Sequence, residues 1–154
     1  LESIEGQIDI ENTEGSTSGE LLFGPVTVRQ ARGKIDLQFV EGDIRLKSSA
    51  AEIRIRQETG ALDLSSATGN VQVQTNLNSD RNFFVRTESG NINLTIPETS
   101  SGNLRIESQI GDIRTDVPIA IESMSARQVE GVFGAGGVTV ILSSISGDVT
   151  VAQF

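Results

Sequence analysis

Acid–base and nucleophilic chemistry at neutral pH usually calls on histidine or cysteine, and this chain has neither. That leaves no Ser/His or Cys/His nucleophile pair, no histidine or thiolate metal site and no disulfide framework. What remains is carboxylate: 21 Asp and Glu against 12 Lys and Arg, for a formal net charge of −9. Two carboxylates can cleave a glycoside, and the candidates are Asp36, Asp63 and Glu52, each at an outward position of an alternating run. Glycan sites favour aromatic platforms, yet Trp and Tyr are absent. An outward Asp on a strand ordinarily serves as the solvated partner of an arginine. The expectation is a chain with no catalytic residues, no cofactor and no enzymatic activity.

Two other patterns invite chemistry. Asp43, Asp112 and Asp148 each follow a glycine, as hard oxygen ligands would in a calcium-binding β-roll. Such rolls repeat Gly-Gly-x-Gly-x-Asp in every nine residues. Here each regular unit has one glycine and the aspartates are scattered, so no metal site is expected beyond incidental binding. The glycines at 131, 134, 136 and 137 suggest a phosphate loop. Their spacing fits the dinucleotide motif poorly, and a strand, Val138–Leu142, follows where that motif needs a helix. Backbone crowding at a tight corner accounts for them better.

The elements that would position any site come from a repeat. Glycine falls at 6, 15, 24, 33, 42, 60 and 69, in steps of nine with Ala51 filling the gap. The phrase after most of them is one variable residue, then aliphatic, polar, aliphatic: Gly33-Lys-Ile-Asp-Leu, Gly42-Asp-Ile-Arg-Leu, Gly69-Asn-Val-Gln-Val. Alternation of this kind predicts half-buried strands, and glycine predicts turns between them. A fixed period predicts units that bury their apolar faces against neighbours. Hairpins would favour Asn-Gly or Asp-Gly, whereas this chain writes Gly-Asp and Gly-Asn. The predicted fold is all-β: a single-stranded parallel β-helix or β-solenoid, right-handed, over one domain spanning 1–154.

One winding holds either 18 residues (two faces) or 27 (three). The longer winding stacks Asp9, Asp36 and Asp63 at about 4.8 Å, a repulsive column. The shorter sets Asp36 beside Arg54 and Arg45 beside Asp63. Mid-sized aliphatics and six Phe also suit a thin two-sheet core. Two faces are preferred. Departures are expected at 12–20, an irregular or looped-out edge, and at 75–82, an ordinary insertion. Between 115 and 130, Val117, Ile119 and Ile121 alternate as a strand and Glu122–Gln128 read as a loop. Phe154 is placed to cover the open end of the stack. The first residues, Leu1-Glu-Ser-Ile4, read as the tail of a strand in a fragment of a longer protein.

The phrases Ser89-Gly90-Asn91-Ile92-Asn93-Leu94 and Ile110-Gly111-Asp112-Ile113, with the tail from Glu130 to Val149, resemble a bacterial adhesin-type β-solenoid family close to the head GIN domains. That resemblance covers nearly the whole chain and implies a parallel β-helix on bacterial envelope proteins, with no family catalytic residues to carry across. It points to a non-enzymatic structural or adhesive module meeting a protein or surface glycan. The net charge gives no footprint for nucleic acid or an anionic membrane. The competing functions are a carbohydrate-active β-helix enzyme and a rod that self-associates end to end.

Overall fold

Ribbons that are aliphatic on one side and polar on the other need a fold that buries the first and wets the second. The computed structural model describes residues 1–77 and 81–154 and contains strands but no helix among them. Fourteen strands appear in order: β1 (Glu2–Glu5), β2 (Ile8–Phe23), β3 (Val26–Glu41), β4 (Ile44–Thr59), β5 (Leu62–Thr68), β6 (Val71–Thr75), β7 (Phe83–Ser89), β8 (Ile92–Ile96), β9 (Gly102–Ser108), β10 (Ile113–Thr115), β11 (Ile119–Ser125), β12 (Gln128–Phe133), β13 (Val138–Ser146) and β14 (Val149–Gln153). They form a parallel β-solenoid of about five turns, roughly 18 residues per turn. Ile8 pairs with Val26, Val26 with Ile44 and Ile44 with Leu62.

β2, β3 and β4 each bend round a corner and serve both faces. The first face stacks the opening halves of these strands, then β5, β7, β13 and β9. The second stacks β1, the closing halves, then β6, β8, β14 and β10. Ile35, Leu37, Ile53, Leu62, Ile92 and Leu142 fill the space between, all at or below 1% exposure. Burying each stabilises the fold by about 1.5–3 kcal/mol relative to leaving it in water.

The corners explain the glycines. Gly33 has φ 121°, and a Cβ there would lie 1.8 Å from the carbonyl oxygen of Gly15 in the winding below. Both the left-handed backbone and the close approach demand glycine. At the same column, Ala51 turns without a positive φ. Corner carbonyls that point inward meet buried polar side chains. Gln30 Nε2 donates to the carbonyls of Gly15 and Arg32, and Gln57 Nε2 to those of Gly42 and Ala61. Ser144 and Ser108 Oγ donate likewise to Gly90 and Gly147. Unpaired buried carbonyls are costly, so the core is aliphatic along the strands and polar at its edges.

Three residues off the glycine positions are left-handed: Ser3, Leu21 and Phe39, with φ between 50° and 55°. They recur at the 18-residue interval and mark a bulge beside the second face. Non-glycine residues there cost roughly 1–2 kcal/mol each. The column ends where the register slips between Leu37 and Val40, and Gln57 pairs with Val40 instead.

Several expectations need correction. Residues 12–20 are not looped out: they lie within β2, paired to β3 through Gly15–Gly33, Thr17–Ile35 and Gly19–Leu37. Backbone pairing holds them without help from aliphatics. Buried Thr17 donates to Gln30 Oε1 at 2.6 Å, and Leu22 fills the room that Gly19 leaves. Nor is Glu122–Gln128 a loop. β11 and β12 form an antiparallel hairpin that lies on β9. Residues 78–80 of the expected insertion at 75–82 lie outside the described residues.

The largest departure is stacking order. β13 sits between β7 and β9, and β14 between β8 and β10. The winding made by 138–153 is therefore inserted between those made by 83–96 and 102–115. Phe154 does not cover the end of the stack. It is 54% exposed, beside an interior strand, and the hairpin covers the end instead.

Candidate functional site

The two exteriors separate Asp63 from the other two carboxylates proposed for glycan chemistry. Asp36 and Glu52 are on the second face; Asp63 is on the first. Sheets packed this way stand about 10 Å apart with the core between them, so Asp36 and Asp63 cannot flank one bond. Asp36 stacks against Arg54, and Arg45 against Asp63, as the 18-residue winding requires. Yet Arg54 forms its ion pair along the strand with Glu52, at 3.1 Å, and Asp36 accepts a hydrogen bond from Gln38. Arg56–Glu58, Arg105–Glu107 and Arg114–Asp112 follow the same pattern. Residues i and i+2 share a face, and a long arginine folds back along its own ribbon. The charge argument for two faces was also incomplete: this winding stacks Arg29 on Lys47 and Glu2 on Glu20.

Arg105 ties the outer winding together. It bonds Glu107 on its own strand and lies 3.2 Å from Glu130 across to β12. The hydrogen bond to Glu107, helped by both negative charges, raises the pKa of its guanidinium above the ordinary value.

The aspartates after glycine have a structural task. Asn70 Oδ1 accepts the backbone N–H of Asn91; Asn91 Oδ1 accepts that of Asp148; Asp148 Oδ1 accepts that of Asp112. Asp43 Oδ1 accepts the N–H of Ala61 in the other corner column. The Gly-Asx steps at Asp43, Asn70, Asn91 and Asp148 thus bind the backbone of the next winding, and the ladder 70–91–148–112 repeats the stacking order independently. Among the described residues no three of His, Cys, Asp and Glu are grouped to hold a metal ion. The glycine-rich run is a corner: Gly134 and Gly136 are left-handed in the turn between β12 and β13.

Two open arrays remain as candidate binding surfaces. On the second face, Arg54, Gln72 and Asn93 form one column and Arg56, Gln74 and Thr95 the next. They line a shallow depression of about 250 Å³. On the first face, a second depression of about 420 Å³ is lined by Lys47, Ser65, Arg86 and neighbours. Phe84 stands outward beside it, 40% exposed. Alternation gave the signal for that orientation, since Phe83 is buried and Phe84 is next to it.

A family model described as Toastrack DUF4097 matches residues 1–152, and the chain belongs to that family. No curated protein and no solved structure matches it.

Proposed function

We propose that this domain is a non-enzymatic module of the bacterial cell envelope, adhesin-like in that it presents its strand faces to a protein or surface glycan. The supporting observation is the second face, where guanidinium, amide and hydroxyl groups repeat at the inter-strand interval of about 4.8 Å on an open sheet. Repeated donors and acceptors on a flat surface suit a repeating partner surface. They suit the enclosure and strained positioning of a small substrate poorly.

The reading is tested by incubating the full chain with bacterial wall material and a glycan panel. Retention of partner material at unchanged chain length supports it. Turnover of any glycan overturns it. The competing enzymatic reading rests on Asp36 and Asp63, and their placement on opposite faces speaks against a shared site. Should cleavage be detected, its persistence after joint replacement of both would remove them as its source.

A further inference from the structure

We propose that the first face binds a linear acidic glycan, centred on Lys47, Ser65 and Arg86 with Phe84 alongside. The proposal rests on the reading of the faces as partner surfaces and names the chemistry of the partner.

The starting observation is where the cations are left alone. Arg54, Arg56, Arg81, Arg105 and Arg114 all form ion pairs. Seven cations form none among the described residues: Arg32 lies at a corner, Lys34 opens the second face and Arg127 is in the hairpin turn, while the other four, Arg29, Arg45, Lys47 and Arg86, lie together on the first face. Register gives two of them a facing carboxylate, Glu11 for Arg29 and Asp63 for Arg45. Lys47 instead faces Arg29 on one side and Ser65 on the other. Arg86 faces Ser65 and Ser143. The nearby carboxylates Asp63 and Glu88 make no ion pair with either. An acidic protein has therefore kept a like-charge stack, Arg29 on Lys47, which is unfavourable by itself. An anion seated over it would turn repulsion into charge-assisted hydrogen bonds.

The spacing suits a chain of sugars. Lys47 and Arg86 are two strands apart, about 10 Å, with the exposed hydroxyl of Ser65 between them. Ala31, Ser49 and Ala67 take the next outward positions on β3, β4 and β5, so a trough of short side chains runs along the stack axis and ends at Glu88 on β7, which also lines the depression. Phe84, two residues before Arg86 on the same side, offers a ring face to the C–H face of a pyranose. Other polyanions fit less well. An extended peptide docks on a free strand edge, whereas β5 and β7 are paired on both sides. A duplex or a bilayer needs a broad basic footprint, wider than the Lys47–Arg86 pair.

The test titrates the full chain with oligogalacturonate and dextran sulfate, which separate carboxylate from sulfate as the recognised group. Neutral dextran, polyglutamate and duplex DNA serve as comparisons. At least one acidic glycan should bind, more weakly as salt rises, while dextran does not. Lys47→Gln with Arg86→Gln should weaken binding roughly tenfold or more, and Phe84→Ala about threefold, with the circular dichroism of the sheet unchanged. Arg114→Gln with Arg127→Gln, which remove two exposed cations outside both depressions, should leave it within about twofold. The site is refuted if neither acidic glycan binds at low salt, if the Lys47/Arg86 variant binds as well as the parent, or if polyglutamate or DNA binds equally. Shortening of the bound glycan would overturn the non-enzymatic reading while leaving this site standing. Loss of acidic-glycan binding with wall material still retained would do the reverse.

Discussion

Residues 6–77 and residues 83–153 use the same phrase to different ends. In the first region each winding lies on the one made just before it, and position in the sequence equals position in the stack. In the second, the last winding made lies between two made earlier, and a hairpin turns the outermost strands antiparallel. Both regions share the glycine corners and the Asx ladder, and both fill the core with Ile, Leu and Val. The difference teaches that the phrase specifies a winding but not its neighbour.

Removing residues 138–154 should break the contrast most severely. β10 pairs with β14 alone, and β9 keeps only the hairpin once β13 is gone. Protection from amide exchange should vanish across 102–133 and persist in β3 and β4. Removing residues 1–23 takes one outer winding from a sequential stack and should leave protection elsewhere intact. Equal damage from the two deletions would erase the distinction.

Corner substitutions should affect both regions alike. Gly33→Ala is expected to destabilise by roughly 3 kcal/mol, and Gly147→Ala similarly, since its Cβ would lie 2.1 Å from the Gly90 oxygen. Ala51→Gly, in the same column as Gly33, should cost about 0.5–1 kcal/mol. Urea denaturation reads all three. Gln57→Leu takes a donor from the Gly42 and Ala61 carbonyls, the second of which keeps the Ile44 N–H, and should cost about 1–2 kcal/mol, against about 1 kcal/mol for Ser144→Ala, which takes one donor from Gly90. The ladder is read in the same way: Asn70→Ala and Asn91→Ala each lose one bond to a backbone N–H, worth about 1 kcal/mol. A much larger loss at Asn91 would show that the inserted winding depends on its ladder more than the sequential ones do.

Much of the architecture was legible in the chain. Alternation identified inward and outward residues, and a nine-residue glycine step identified corners. The preference for 18 residues per winding was sound, though the charge pairs cited for it are stacked without being bonded. The polar stretch at 12–20 hides its strand because it lacks the aliphatic alternation that is the usual condition for reading one. Pairing with β3 takes the place of that condition through backbone groups that every residue carries. Stacking order was invisible, since Gly90-Asn91, Gly111-Asp112 and Gly147-Asp148 are chemically equivalent docking steps. Of the candidate site residues, Asp36 and Asp63 were read correctly as outward. Their separation depends on which half of a winding each occupies. Lys47, Ser65, Arg86 and Phe84 come together only through register across an insertion, which no local motif records.

The inserted winding has a consequence for biosynthesis. Residues 6–77 can coil as they leave the ribosome, each turn finding its seat already built. Residues 102–133 emerge before the ribbon that joins them to that stack exists. They must wait, with their branched aliphatics uncovered, until 138–153 have been translated and the two halves close around the latecomer.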